Sequence, residues 1–173
     1  MILLYAPTDG RLLSCTEFDP QKHDFLIPFA TFFDKGTPLL HLQMTLAGVS
    51  LYTPAAGVLL HADTAALRFF IAGKRRLALW LHAKSGSPPP LTRGEFLPLA
   101  NAGAPLREGQ LLGRLEPALL RREAPLLSLL TDLPDTGRLQ CCAGPLLGGR
   151  TPLLTVSRPV IRALSPPFYK NSD

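Results

Sequence analysis

This sequence predicts an all-β fold: an antiparallel β-sandwich or barrel built from two similar turn-and-strand units, with one or two short helices. Three observations carry that prediction. The chain has 173 residues, 46% of them apolar and 18% charged, a composition that forms a packed core rather than a disordered coil. Its 18 prolines and 14 glycines divide it into short segments, as many strands and tight turns require. And one segment recurs. Tyr5-Ala6-Pro7-Thr8-Asp9-Gly10-Arg11-Leu12-Leu13 returns as Tyr52-Thr53-Pro54-Ala55-Ala56-Gly57-Val58-Leu59-Leu60, 47 positions on (52 − 5). The length fits one domain, read as residues 1–164, with a tail over 165–173.

In each copy of the repeat, proline presets φ for a turn and glycine permits a positive φ, after which an apolar strand begins. Two such copies predict two similar β units packed together. Between them, Phe25-Leu26-Ile27 and Phe29-Ala30-Thr31-Phe32-Phe33 read as strands, closed by Asp34-Lys35-Gly36-Thr37-Pro38. Leu39-Leu40-His41-Leu42-Gln43-Met44 reads as the next strand.

Arg68-Phe69-Phe70-Ile71-Ala72 and Leu77-Ala78-Leu79-Trp80-Leu81-His82 flank Gly73-Lys74-Arg75-Arg76, a hairpin. With Lys74-Arg75 as a two-residue loop, Ile71 faces Ala78, Phe69 faces Trp80 and Leu67 faces His82. Leu77, Leu79 and Leu81 then form the core face, and Ala78, Trp80 and His82 the opposite one. Further on, Pro88-Pro89-Pro90 marks a rigid connection. Residues 106–116 read as turn then strand, and 117–124 as a helix with proline in its first turn. Late strands fall at 126–130, 138–142 and 151–156.

Net charge is +5, concentrated at Lys74-Arg75-Arg76 and Arg121-Arg122. No aromatic platform or recognition helix accompanies those clusters, so no nucleic-acid partner is expected. The start has no basic region ahead of its short apolar run, and no stretch reaches the roughly 18 to 20 apolar residues of a membrane span. No membrane insertion is expected, and the cytoplasm is the expected location. Cys15, Cys141 and Cys142 do not make a disulfide framework, and adjacent cysteines chelate one metal poorly. They read as reduced thiols filling space, and neither a metal nor a cofactor is expected.

His82 is the one candidate for chemistry. It lies at the end of an apolar surface with Trp80, Phe69, Ile71 and Leu67. Two readings stand: a core or edge histidine with one satisfied nitrogen, or a shallow apolar site built around an imidazole.

The order of motifs resembles the glucose-type IIA domains of the bacterial phosphoenolpyruvate-dependent sugar phosphotransferase system, over about residues 5–156. The resemblance rests on Thr53-Pro54-Ala55-Ala56-Gly57, on the strand ending at Leu81-His82, and on Gly94-Glu95-Phe96. It continues through Gly103-Ala104-Pro105-Leu106-Arg107-Glu108-Gly109-Gln110-Leu111, the short helix at 117–124, and Gly149-Arg150-Thr151-Pro152-Leu153. The family carries phosphate on one histidine and steadies it with a second across a hairpin. The resemblance puts His82 at the supporting position and Leu67 at the acceptor position, where no ring nitrogen exists to hold phosphate. Two further departures agree: Ala65 replaces a threonine, and Lys84-Ser85-Gly86-Ser87 lacks the family's acidic residue. His61, six residues before Leu67, lies roughly 20 Å away along an extended strand and is not a substitute.

The resemblance therefore implies a non-phosphorylatable, regulatory or adaptor relative. Its partner, a transporter or a metabolic enzyme, would dock on Leu67, Phe69, Ile71, Trp80 and His82, with Phe25 and Leu26 extending the surface beside Asp24 and Ile27. One rival is a phosphocarrier using His82. Another is a zinc peptidase of the lysostaphin type, which needs a His-x-His pair where this chain has Trp80-Leu81-His82. A structural module without chemistry is the last.

Overall fold

Both copies of the repeat fold as strand, turn, strand, and they grip each other reciprocally. The structure, a computed structural model, describes residues 1–23, 29–45, 50–64, 67–83, 96–123, 125–132 and 138–157. The first copy joins β1 (Ile2–Tyr5) to β2 (Gly10–Glu17), and the second joins β4 (Ser50–Tyr52) to β5 (Gly57–Asp63). Tyr5 N–H donates to the Pro54 carbonyl at 2.9 Å, and Tyr52 N–H to the Pro7 carbonyl at 2.8 Å. The equivalence extends outward: Ala6 accepts from the Gly149 N–H and Thr53 from the Gly109 N–H, both at 2.8 Å. Gly109 and Gly149 each have φ of 71°, the left-handed region open to glycine at no cost. Gly57 has a different role from the one expected of it. Its φ is not positive; instead a Cβ there would lie 2.7 Å from the Ala72 carbonyl oxygen, so close backbone approach is what demands glycine.

The remaining elements are β3 (Pro38–Met44), β6 (Arg68–Ala72), β7 (Arg76–His82), β8 (Phe96–Pro98), β9 (Pro105–Leu106) and β10 (Leu111–Leu115). They are followed by helix α1 (Pro117–Glu123), β11 (Leu126–Thr131), β12 (Arg138–Cys141) and β13 (Pro152–Ser157). Among the described residues these make a seven-stranded sheet in the order β2-β3-β11-β7-β6-β5-β9 and two three-stranded sheets, β1-β13-β12 and β4-β10-β8. The named pairings are antiparallel. The predicted all-β architecture and its two related units are what the described residues form, and of the one or two short helices expected they include the α-helix Pro117–Glu123. One expected strand does not form: Phe29–Phe32 is a single 3-10 turn. The expected strand Phe25-Leu26-Ile27 lies outside the described residues, as does the expected tail.

The central strands β6, β7 and β11 of the seven-stranded sheet are buried on both faces. The sheet's inner face packs on the two small sheets, joining Leu59, Phe69, Ile71, Leu79 and Leu81 to Leu4, Leu51, Leu112 and Leu154 in one cluster. Its outer face carries a second cluster of Phe18, Phe33, Leu39, Phe70, Ala78, Trp80 and Leu130.

This double burial corrects the hairpin register. Phe69 faces Leu79, not Trp80, and Ile71 faces Leu77, not Ala78, because Ala72 pairs with Arg76 around a three-residue loop. A one-residue slip moves every side chain to the other face. Leu67, Phe69 and Ile71 therefore join the inner core, and Trp80 and His82 point the other way. The pattern could not reveal this. A strand buried on both sides shows no polar alternation to set its phase.

Candidate functional site

Three strands of the large sheet lie side by side, and one polar residue from each meets on the outer face. On β11, Ser128 sits opposite His41 of β3 and opposite Trp80 of β7. Directly opposed residues share a face, and His82, two residues beyond Trp80, shares it too. All of Ser128 and nearly all of Trp80 and His82 are buried, while His41 is half-buried. Polar groups inside apolar strands must find partners to offset lost hydration. They find each other.

His82 Nδ1 lies 2.7 Å from the Ala83 carbonyl oxygen. That oxygen can only accept, so Nδ1 carries the proton of the neutral ring. His82 Nε2 is then an acceptor, and the Ser128 hydroxyl donates to it at 2.6 Å. With its single proton spent, Ser128 Oγ accepts from His41 Nδ1–H at 2.9 Å. The chain of bonds thus fixes all three partners and leaves His41 Nε2 as a lone pair with no hydrogen bond among the described residues.

Both rings are held neutral. Burial lowers the His82 pKa against the opposing pull of its bond to the Ala83 carbonyl. Burial also lowers that of His41, and the nearby His82 and His23 lower it further. The rings themselves are 6.5 Å apart in a T-shaped pair, and Trp80 stacks on His82 at 4.6 Å. Around them the aromatic wall continues through Phe70, on which Phe32 stacks at 4.8 Å; Phe32 is 45% exposed.

The sequence-derived site divides accordingly. Trp80 and His82 are neighbours, as expected. Leu67, with no exposed surface at all, accepts at its carbonyl from the Leu81 N–H at 3.0 Å and sends its side chain into the inner core, away from His82. Phe69 and Ile71 follow it, so none of the three lines the same surface as the imidazole. Phe25 and Leu26 lie outside the described residues. His61 is exposed on β5, apart from the relay. Sequence reasoning missed His41 and Ser128, although each is a lone polar residue within Leu39-Leu40-His41-Leu42 or Leu127-Ser128-Leu129. A polar residue inside an apolar strand was the available signal.

Chemically, the relay can hold a proton at a defined atom and present a basic nitrogen at its outer end. Among the described residues, no three histidine, cysteine or acidic side chains are grouped to hold a metal ion. No helix there is long and apolar enough to cross a membrane.

The architecture that positions the relay, two interlocked strand-turn-strand units under a sheet whose central strands are doubly buried, is the fold of glucose-type IIA domains. The glucose permease IIA from Mycoplasma capricolum superposes with a TM-score of 0.60 at 14% identity, over 89% of this chain and 94% of that one. At that identity the likeness is one of fold. No family model matches the chain, and no curated protein sequence matches it.

Proposed function

We propose that this chain is a IIA-like module that carries no phosphate at the family's acceptor position and acts by binding a protein partner. The single observation behind this reading is Leu67: it is aliphatic, completely buried and turned into the inner core. His82 fits the same reading, since its two nitrogens are occupied by Ser128 and Ala83. The proposed contact surface is the outer face beside His82 and Trp80, reached through the half-buried His41 and the exposed Phe32. A transporter or metabolic enzyme in the cytoplasm is the partner class this reading favours.

A second reading has one observation in its favour. If the chain does accept a phosphoryl group, the free lone pair is that of His41 Nε2, not of either His82 nitrogen. One experiment separates the readings: exposure of the chain to a phosphohistidine phosphocarrier, followed by measurement of acid-labile phosphate. The first reading expects none. Label lost in His41→Ala but kept in His82→Ala would replace it with the second. For partner binding, Phe32→Asp is expected to abolish capture of a defined partner with the fold intact, and unchanged capture would refute the surface.

A further inference from the structure

Two sheet edges meet beyond β3. β2 is the edge of the seven-stranded sheet and β12 the edge of the β1-β13-β12 sheet. They touch at an isolated antiparallel bridge between Gly10 and Leu146, with N–H···O distances of 3.1 and 2.8 Å. Further along the two edges, Cys15 lies opposite Leu40 of β3 and Cys141 opposite Leu154 of β13, and because both leucines belong to the inner cluster the two cysteines share the inner side of their edge strands. The two thiols are near enough that Cys141 helps to raise the Cys15 pKa. Both residues are exposed free cysteines, not the space-filling thiols their sequence context suggests. Cys142, the neighbour of Cys141, packs against the inner core instead.

Between the bridge and the thiol pair the edges part around a cavity of about 670 Å³, lined by Gly10, Arg11 and Leu12 of β2, Gln43 and Met44 of β3, and residues 143–145. The seam is thus hydrogen-bonded at one end and closed by two facing sulfurs at the other.

We propose that Cys15 and Cys141 are a redox modification site, forming a reversible disulfide that staples β2 to β12 and sets the width of the seam around this cavity. The oxidant class is a small-molecule disulfide. Desolvation of the part of the Cys15 thiol that lies in the seam, together with the neighbouring Cys141, pushes it up to about 11; the proposed exchange starts at Cys141. Its thiolate attacks one sulfur of the oxidant, forming a mixed disulfide and expelling one thiolate. Cys15 then loses its proton, attacks the Cys141 sulfur and expels the second thiolate. The two protons end on the two departing thiolates. The chain is oxidised by two electrons and the oxidant reduced by two.

The test uses the full reduced chain and glutathione disulfide, read by intact mass and peptide mapping. The expected product has lost two hydrogens and carries a Cys15–Cys141 cross-link that dithiothreitol reverses. Cys15→Ser is expected to stop at a glutathione adduct on Cys141, and Cys142→Ser to cross-link as the unaltered chain does. Thermal unfolding of each reduced variant is measured alongside to show that the fold is kept. A stable glutathione adduct without cross-link in the unaltered chain, or a cross-link through Cys142, overturns the proposal.

Discussion

Replacing Leu67 by histidine is the substitution that alignment with the phosphocarriers would choose to restore activity, and the structure predicts that it destabilises the chain instead. Leu67 has no exposed surface, and fully burying a leucine side chain contributes about 1.5–3 kcal/mol. The imidazole that replaces it brings an N–H and a lone pair into a cluster of leucines and phenylalanines, and an unsatisfied buried polar group costs about 1–3 kcal/mol. One effect opposes these. Leu67 sits at φ of 51°, where histidine occurs several-fold more often than most residues, a preference worth under about 1 kcal/mol. The sum is a loss of about 2–5 kcal/mol. With a slope of about 2 kcal/mol per molar urea, the unfolding midpoint should fall by about 1–2.5 M. The chain has one tryptophan, the buried Trp80, whose fluorescence reports the transition directly. A Leu67→His chain with an unchanged midpoint that also took up phosphate would refute both the burial and the register on which it rests.

Three further outcomes follow from the same geometry. Ser128→Ala removes the hydroxyl joining the two histidines; a loss of about 0.5–1.5 kcal/mol per hydrogen bond is expected, with altered titration of both rings by nuclear magnetic resonance. Both histidine pKa values are lowered on folding, so below about pH 6.5 the unfolded chain binds protons that the folded one does not. Stability should therefore be fully present above that pH and decline as pH falls towards the folded values, and urea midpoints of a His41→Gln, His82→Gln variant should lose this part of the slope. Gly57→Ala should lower the thermal midpoint because its Cβ would meet the Ala72 carbonyl at 2.7 Å, whereas Gly144→Ala, with nothing within 4 Å, should leave it nearly unchanged.

Much of this molecule is written locally. The Tyr-x-Pro-x-x-Gly repeat announces two related units because a turn needs its proline and a backbone crossing needs its glycine within a few residues of each other. The helix at 117–123 and the strand bounds follow from equally short-range chemistry. The phase of β6 against β7 does not, since Phe69, Phe70 and Ile71 are apolar on both faces and either pairing buries them. The relay is further from reach. Ser128 is 46 residues from His82 and 87 from His41, and no spacing rule links the three.

By itself, then, the sequence determined the fold class, the duplication of the turn-and-strand unit and the absence of a ring nitrogen at position 67. Only the tertiary structure decided which face each side chain occupies, and with it the burial of Leu67, the His41–Ser128–His82 relay and the facing thiols of Cys15 and Cys141. The physical reason is the same for each: strand pairing brings distant residues within hydrogen-bond reach, and its register changes by a single residue without altering any local preference.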